Sequence, residues 1–327
     1  MPAKKLILVI GATGAQGKPV VSALLAPRSD GTPSPYSVRA LTRDTTSDKA
    51  QALASLGAEL FQGRFDDLDN IAAALEGCYG VFVNTDTWTV GQEKEIYVSI
   101  KIFEQAHRVQ QLRHFVWSGL DYGSKLGKYD PKYRAIHLDG KGIPSGDSLT
   151  WSIVTTGPYI ENLTDVLVFA LPVEDGHIPT ISLEDIGWWA RYTFDHRSET
   201  SGQELKIATE MMTVDQLVET FTRVTGIPAI RKRISIEEYL GIYPQMNLFV
   251  VKGAGEGPTI GDTFAGMYRV WGADLITRDM EWNRRVHPTG YTLESWIREK
   301  DFNGKLVPKL RGRIQDSGRA HWSTEED

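Results

Sequence analysis

The sequence predicts an α/β protein: a doubly wound parallel sheet of the Rossmann type, followed by a smaller C-terminal α+β domain. Two observations support this prediction. Short apolar runs alternate with segments of helical periodicity through the first half of the chain, which is typical of βαβ units. The first run, Leu6 to Ile10, leads directly into a glycine-rich bend and then a helical pattern, the order found at the start of a Rossmann-type sheet.

Short runs of apolar residues predict the strands of this sheet. They are bounded by glycine, proline or polar clusters, as strands usually are. We expect strands at Leu6 to Ile10, Ser37 to Thr42, Ala58 to Gln62, Tyr79 to Val83, His114 to Ser118, Trp151 to Thr156 and Leu205 to Ala208.

Helical periodicity fills the intervals between these strands. The helix after the first strand is marked by Val20, Val21, Leu24 and Leu25. Asp69 to Leu75 predicts a further helix, which Gly77 ends. A long helix before the fifth strand has an apolar stripe formed by Ile96, Ile100, Phe103 and His107.

The alternation of apolar runs and helical segments becomes less regular after Gly157-Pro158. Two segments there resemble capping boxes that open helices, Ser182 to Asp185 and Thr213 to Gln216. Ser235 to Glu238 predicts the start of another helix. Two apolar stripes predict later helices, formed by Phe264, Met267, Val270 and Trp271, and by Leu293, Trp296 and Ile297.

These patterns divide the chain into three parts. We expect the Rossmann domain over residues 1–157, with strands returning to it around 178–210, and a smaller substrate or partner domain over 158–303. From about Gly304 the chain turns basic and then ends acidic, so residues 304–327 predict a disordered tail. Its basic stretch, Lys309 to Arg313, could bind an acidic partner or simply be solvated.

Composition excludes several functional classes. The net charge of −6 does not indicate nucleic-acid binding. The single cysteine, Cys78, rules out an internal disulfide and fits a reducing compartment. The seven histidines show no metal-ligand spacing, so we expect no metal. No apolar stretch is long enough for a membrane helix or a signal peptide, so we expect a protein of the cytoplasm or nucleus.

The bend after the first strand is a candidate phosphate-binding loop. Glycines there let the backbone turn tightly and approach a pyrophosphate, and the following helix N-terminus offers free N–H groups. The spacing is GxxGxxG rather than the standard GxGxxG, so a glycine-rich turn without a ligand remains the alternative. The loop comprises Gly11, Ala12, Thr13, Gly14, Ala15, Gln16 and Gly17.

The end of the second strand bears on the choice of nucleotide. A carboxylate at this point accepts from the ribose of NAD, whereas an arginine binds the 2′-phosphate of NADP. Arg43 stands here and predicts NADP(H), although a solvated arginine is the alternative. Asp44, one residue further, keeps NAD open.

Seven blocks in order extend the comparison beyond single motifs: KKLILVIGATGAQG, VRALTRD, GVFVNTDTW, HFVWSGLD, HLDGKG, TTGPYIENL and SLEDIGWWAR. Together they resemble the NmrA-like family, which are atypical members of the short-chain dehydrogenase superfamily. The resemblance is closest to the fungal and HSCARG-like branch and runs from the N-terminus to about Trp296.

The resemblance implies a Rossmann domain and a small C-terminal domain, with NADP(H) in the cleft between them. It places the pyrophosphate on Gly11 to Gln16 and the nicotinamide ribose near Lys141. The remaining implied cofactor contacts are Arg43, Asp44, Thr45, Thr46 and Ser47 for the 2′-phosphate, Arg64 and Phe65 for adenine, and Thr85, Asp86, Thr87, Tyr159, Ile160, Glu161 and Asn162 for the nicotinamide half.

Three departures from the family pattern stand out. Arg64 replaces an acidic residue usual in the family, which puts the adenine contacts in doubt. The stretch 142–149 is several residues short, and Pro144 interrupts the helix expected there. The segment 163–168 also lacks about ten residues that relatives use near the substrate cleft. We expect either a remodelled cleft or an exon-boundary error.

Ordinary short-chain dehydrogenases use Tyr-x-x-x-Lys after the fifth strand, with a serine at the end of that strand. Here Tyr97 and Lys101 have this spacing, but they precede the fifth strand, so we interpret them as structural. Ser118 ends the fifth strand, and His137 stands four residues before Lys141 in place of the tyrosine. Our candidate catalytic residues are therefore Lys141, Ser118 and His137, each with a structural alternative.

Two functions follow from these observations. The first is an NADP(H)-dependent oxidoreductase that acts on a small carbonyl or enone compound, such as one of secondary metabolism. The second is a redox sensor that binds NADP(H) without turnover and regulates a protein partner such as a transcription factor. The missing tyrosine favours the sensor, and Ser118 and Lys141 allow the enzyme, which we prefer. We expect a monomer or homodimer with no direct contact to nucleic acid or membrane.

Overall fold

Seven parallel strands form the central sheet of the protein. The computed structural model describes residues 3–141, 149–162, 168–251 and 256–304. In chain order, the strands inside and outside this sheet are β1 (Lys5–Ile10), β2 (Tyr36–Thr42), β3 (Glu59–Gln62), β4 (Gly80–Val83), β5 (His114–Gly119), β6 (Trp151–Thr155), β7 (Val168–Phe169), β8 (Ile178–Thr180), β9 (Gln203–Lys206), β10 (Glu210–Met212) and β11 (Ile230–Arg231).

The helices lie between these strands and fill most of the C-terminal third. They are α1 (Gly17–Leu25), α2 (Asp48–Ser55), α3 (Leu68–Leu75), α4 (Thr87–Val90), α5 (Gln92–Arg108), α6 (Gly123–Leu126), α7 (Ile136–Asp139), α8 (Leu183–Asp195), α9 (Arg197–Thr200), α10 (Val214–Thr225), α11 (Ile236–Ile242), α12 (Ile260–Gly272), α13 (Met280–Val286) and α14 (Leu293–Glu299).

The strand order of the sheet is β3-β2-β1-β4-β5-β6-β9. Leu8 of β1 is in register with Arg39 of β2 on one side and with Val81 of β4 on the other, so β1 lies where the order reverses. This topology confirms the predicted Rossmann-type fold. Ligands of such sheets bind outside the carboxyl ends of the strands at this reversal, so β1 and β4 define where the site should lie.

Only part of the segment 178–210 returns to the sheet. β9 adds the seventh strand, with Ser152 of β6 opposite Gln203. The expectation of several returning strands is wrong, because β8 and β10 instead pair with each other in an antiparallel ribbon. β9 occupies the sheet edge beside β6, and Pro179 within β8 lacks the N–H that a strand inside a sheet donates.

Three clusters of buried apolar side chains hold the structure together. One lies between the sheet and helices α1 and α8, which touch so closely that Gly187 of α8 has no room for a Cβ beside Pro19. The second lies on the opposite face of the sheet beneath α3 and α5. The third joins α10, α12 and α14 with Leu138 and Ile160, so two residues that flank the predicted cleft belong to the C-terminal core.

The apolar stripe predicted on α5 is only partly the face that packs on the sheet, because Phe103 packs against Phe115 of β5, with 5.1 Å between ring centroids. Ile100 is 44% exposed and His107 is exposed, whereas Val98, Ile102 and Ala106 are buried. Both sets have helical spacing, and the fully buried set belongs to the core against the sheet. Glu95, one turn before Val98, is also completely buried.

One of the two predicted capping boxes is complete, and a further complete box opens the helix predicted at Ser235. Thr213 with Gln216 and Ser235 with Glu238 exchange both hydrogen bonds and open α10 and α11. At Ser182 only half forms: its hydroxyl accepts from the N–H of Asp185. The carboxylate of Asp185 turns away, because it accepts from the Thr209 hydroxyl and contacts His287 instead.

Several expectations concern residues that the structure does not describe. The shortened stretches fall largely on 142–148, which includes Pro144, and on 163–167, while the predicted tail with its basic stretch falls on 305–327; all lie outside the described residues. Among the helices that are described, none combines the length and the apolar character needed to cross a membrane.

Candidate functional site

The bend after β1 is a tight turn that only glycine tolerates at two positions. Gly11 has φ +80°, and a Cβ there would lie 2.7 Å from the carbonyl oxygen of Asn84. A Cβ on Gly17 would clash with the backbone of Gly11 and Ala12. The N–H of Gly14 donates to the carbonyl of Gly11 at 2.9 Å. The glycine spacing therefore serves the close approach of β1, α1 and the end of β4.

The N-terminus of α1 lacks a side-chain cap. Gln16 occupies the N-cap position, but its amide makes no capping hydrogen bond. The N–H groups of a first helical turn need an acceptor, and phosphate oxygens meet that need in nucleotide-binding folds. An uncapped helix directly after a glycine bend therefore fits a pyrophosphate.

The Gln16 amide is used elsewhere, as a bridge between three segments of the chain. Its Oε1 accepts from the hydroxyl of Ser118 at 2.6 Å, and its Nε2 donates to the phenol oxygen of Tyr159 at 2.8 Å. Gln16 and Ser118 are buried. The bridge joins the glycine loop, the end of β5 and the segment after β6 at one edge of the sheet.

The end of β2 presents one exposed cation. Arg43 is exposed, whereas the carboxylate of Asp44 accepts from both the N–H and the hydroxyl of Thr46, at 2.8 and 2.6 Å. These hydrogen bonds lower the pKa of Asp44. Ser47 caps α2 by accepting from Ala50. Thr46 thus engages the Asp44 carboxylate, which could otherwise accept from a ribose hydroxyl, while the guanidinium of Arg43 faces solvent.

The segment after β3 holds an ion cluster. Arg64 donates to both oxygens of Asp66, at 2.9 and 3.2 Å, and Lys94 donates to one of them at 2.7 Å. Burial opposes ionisation of Asp66, but the hydrogen bonds from Arg64 and Lys94 outweigh it and lower its pKa to about 2. Phe65 is half-buried against the core under α5. Asp67 caps α3 by accepting from the N–H groups of Asp69 and Asn70.

The segment after β4 turns its threonines inward. The hydroxyls of Thr85 and Thr87 both donate to the carboxylate of Glu95, that of Thr85 at 2.6 Å. Asp86 caps α4 by accepting from Trp88 and from Thr89. The predicted contact residues are thus gathered at the carboxyl end of β4, with their side chains engaged within the protein.

Lys141 lies at the same place. It is 8% exposed, and its Nζ donates to Oδ1 of Asn84 at 2.6 Å and to the carbonyl of Thr85 at 2.7 Å. Its own carbonyl accepts from Nε1 of Trp117 on β5 at 3.0 Å. The structure therefore brings the predicted catalytic lysine to the end of β4, where it binds the side chain of Asn84, the residue whose backbone lies close to Gly11.

His137 occupies an aromatic cluster. Its ring stacks on Trp88 with 5.5 Å between centroids and lies 6.3 Å from Phe264. Trp88 follows β4, and Phe264 lies on α12 of the C-terminal region. The ring is half-buried, and the structure places it between the sheet and the C-terminal core.

The segment predicted to close over the nicotinamide has mixed surroundings. Tyr159 binds Gln16, as described. Ile160 is fully buried in the C-terminal core. Oε1 of Glu161 accepts from the N–H of Leu183 at the start of α8. Asn162 ends a short 3-10 helix. Ile160 and Glu161 are thus engaged in holding the segment itself.

The Tyr-x-x-x-Lys pair on α5 is solvated. Tyr97 is 56% exposed, and Lys101 pairs with Glu104 at 2.8 Å on the surface. Both side chains lie on the side of α5 away from the buried Glu95. Their exposure supports the structural interpretation of this motif, which stays a prediction.

Two residues of the site had no place in the sequence-based prediction. Asn84 accepts from Lys141, and its backbone lies close to Gly11. Its position directly after β4 was the available signal. Glu95 binds both threonines, and no pattern in the sequence distinguishes it from the other acidic residues of α5. Within the described residues, no group of three or more histidine, cysteine or acidic side chains is placed to hold a metal.

Comparison with known proteins connects this geometry to a family. The model of the NmrA-like family matches residues 3–252. A relative from Malbranchea aurantiaca, the NmrA-like family domain-containing oxidoreductase malD, is 43% identical over 257 residues, which cover 68% of this chain and 74% of that one.

Solved structures share the fold at low sequence identity. NmrA, a negative transcriptional regulator crystallised with NADP, superimposes with a TM-score of 0.66 at 18% identity, over 90% of this chain and 95% of that one. The NADPH-dependent quinone oxidoreductase QOR2 from Escherichia coli, complexed with NADPH, gives a TM-score of 0.66 at 19% identity, over 90% and 99%. The family match covers most of the chain, and the strand order and glycine bend agree with it: the chain belongs to the NmrA-like family.

Proposed function

We propose that this protein is an NADP(H)-dependent oxidoreductase that acts on a small carbonyl or enone compound. The observation that supports it most is the position of Lys141. A buried ammonium group lies at the end of β4, hydrogen-bonded to Asn84 and Thr85, beside the glycine bend at the same edge of the sheet. The relative malD is named as an oxidoreductase, and QOR2 binds NADPH, which agrees with this proposal.

The residues present fit a dinucleotide. The glycine bend and the uncapped N-terminus of α1 would hold the pyrophosphate, and exposed Arg43 would bind a 2′-phosphate. Because the Asp44 carboxylate is occupied by Thr46, the end of β2 favours NADP(H) over NAD(H). When bound, the cofactor would supply or accept a hydride.

The side chains of the chain would then position the substrate and move a proton. The ammonium of Lys141 would hold a ribose hydroxyl and donate a proton to the oxygen of a carbonyl substrate. The Ser118 hydroxyl, which donates to Gln16, would fix the glycine loop against the end of β5. His137, with its ring between Trp88 and Phe264, would be the alternative proton donor beside the C-terminal region.

The experiment that tests this function has two stages. The purified protein is titrated with NADPH, NADP⁺, NADH and NAD⁺ by calorimetry. A panel of aldehydes, ketones, enones and quinones is then screened for turnover with the pair that binds more tightly. We expect NADP(H) to bind at least about tenfold more tightly than NAD(H), the effect of one arginine–phosphate contact. Equal binding of the two pairs, or no turnover with any carbonyl compound, contradicts the proposal.

A second candidate function is a sensor that binds NADP(H) without turnover and regulates a protein partner. It is favoured by the position of His137, which stands where dehydrogenases carry tyrosine and is stacked in an aromatic cluster. NmrA, which shares the fold, is a transcriptional regulator. Intact NADPH binding without turnover, together with a partner protein that is captured with one redox form of the nucleotide only, would establish this alternative.

A further inference from the structure

Glu95 is a carboxylate with no exposed surface, placed on the side of α5 that faces the end of β4. Burying a carboxylate is costly unless hydrogen bonds or opposite charges compensate it. Here the hydroxyls of Thr85 and Thr87 both donate to it. A Cβ on Gly140 would lie 3.0 Å from its Oε2, so the backbone just before Lys141 also approaches this carboxylate closely.

Thr85 connects Glu95 to Lys141 directly. Its hydroxyl donates to Oε1 of Glu95 at 2.6 Å, and its carbonyl accepts from Nζ of Lys141 at 2.7 Å. The carbonyl of Thr85 therefore accepts from Lys141, while the hydroxyl of the same threonine is held by Glu95. Thr87 adds a second contact two residues later, so Glu95 binds both ends of the segment 85–87.

We infer that Glu95 is a positioning residue: by accepting from Thr85 and Thr87 it holds the segment 85–87 in the shape that seats the ammonium of Lys141. This inference deepens the proposed function, on which its catalytic meaning rests. Glu95 does not touch the reacting atoms. Its effect on Lys141 is transmitted through Thr85. The carbonyl of Thr85 is directed at Nζ of Lys141 in the observed conformation of this segment.

The test measures the accessibility of Lys141 without any nucleotide. The full-length protein is methylated with formaldehyde and dimethylamine-borane, and the rate at Lys141 is followed by peptide mass spectrometry against exposed Lys18. The variants are Glu95→Met, which keeps the size but removes the acceptor, and Glu95→Gln, which keeps the hydrogen-bonding capacity. The matched control is Asp185→Leu, since Asp185 is another buried carboxylate that accepts from a threonine hydroxyl, on α8.

We expect Glu95→Met to raise the methylation rate of Lys141 by at least about fivefold, because local opening frees a protected group. Glu95→Gln should restore the rate to within about twofold of wild type, and Asp185→Leu should leave it unchanged even where it lowers the melting temperature. If Glu95→Met does not fold, Thr87→Val removes one donor, and we expect a smaller increase in the same direction.

Two results would overturn the inference: an unchanged rate at Lys141 in folded Glu95→Met or Thr87→Val, or an equal rise in Asp185→Leu, which would indicate general loosening. Because the readout needs neither cofactor nor substrate, it remains decisive if the protein shows no turnover. If turnover is found, the same Glu95→Met variant should lower kcat more than it changes KM, and Glu95→Gln should restore it.

Discussion

Arg278 and Asp121 form a bidentate ion pair that is shut off from solvent. The guanidinium donates to the two carboxylate oxygens at 3.0 and 2.6 Å, and the two side chains are 0% and 4% exposed. It also donates to the carbonyls of Ile207, Thr156 and Thr277. All five N–H groups of the arginine are thus used, and the loop after β5 is tied to the segment before α13.

Removing the charge of Asp121 should be costly. Asp121→Asn would leave the buried guanidinium of Arg278 without a counter-ion, so we expect the free energy of unfolding to fall by about 3–5 kcal/mol. Urea denaturation at pH 7 measures this. The control is Glu59→Gln, which removes the partner of Arg39 at a half-exposed site and should cost less than about 1 kcal/mol. Similar losses in both variants would show that burial of the pair does not matter.

Cofactor choice should depend on Arg43. Because this guanidinium is exposed at the end of β2 while the Asp44 carboxylate is occupied, Arg43→Ala should weaken NADP(H) binding by about 1.5–3 kcal/mol and leave NAD(H) almost unaffected. Calorimetric titration measures both. The control is Arg28→Ala, which removes an exposed arginine from the loop before β2. Equal losses for NADP(H) and NAD(H) would refute the assignment.

The catalytic assignment can be tested by a pair of substitutions. Lys141→Ala should lower turnover by roughly 10²–10⁴-fold, the usual scale for removing acid–base help. Tyr97→Phe should change it by less than about twofold, since this side chain is mostly exposed on α5. Steady-state rates with the best substrate measure both. The reverse pattern would make the motif on α5 the catalyst.

His114 should make stability depend on pH. Burial, reinforced by the charge of Arg197, lowers the pKa of this histidine to about 4, despite an opposing hydrogen bond with Thr150. In the unfolded chain the pKa is about 6.5. Between these values the unfolded state binds more protons, so the contribution is complete above pH 6.5 and is lost as pH falls to 4. The full loss is about 3 kcal/mol.

The measurement for His114 is a comparison of unfolding free energies in urea at pH 7 and pH 4.5. His114→Phe removes the titrating group from β5, so the variant should lose less stability between the two pH values than the wild type does. Taking the difference between the proteins cancels the carboxylates common to both. If both lose the same amount, His114 does not titrate in the way its burial implies.

The fold was predictable from local sequence, and much of the site was not. Strands β1 to β6 correspond to short, largely apolar runs, and the glycine bend is recognisable from its place between a strand and a helical pattern, although its spacing alone is not the standard one. On α5 two apolar sets compete at the same helical period, so periodicity could not choose Val98 and Ile102 over Ile100. Packing against the sheet decided between them.

The sequence-based prediction mainly missed the buried polar groups. Glu95 is fully buried, yet in the sequence it looks like a solvated residue of an amphipathic helix. Asp185 fits a capping box, but its carboxylate is taken by Thr209 and His287, which are distant in the sequence. Such partners are chosen by tertiary structure, and a single sequence contains no local trace of them.

The bridge made by Gln16 has a consequence for how the protein is made. Its two hydrogen-bond partners lie 102 and 143 positions further along the chain. During synthesis the glycine loop leaves the ribosome well before Ser118, and Tyr159 follows later still. Contacts of such long range form slowly, because the intervening chain must first be ordered. The nascent chain therefore passes through a period in which the nucleotide loop exists without the residues that complete it, and the closing of this bridge marks its end.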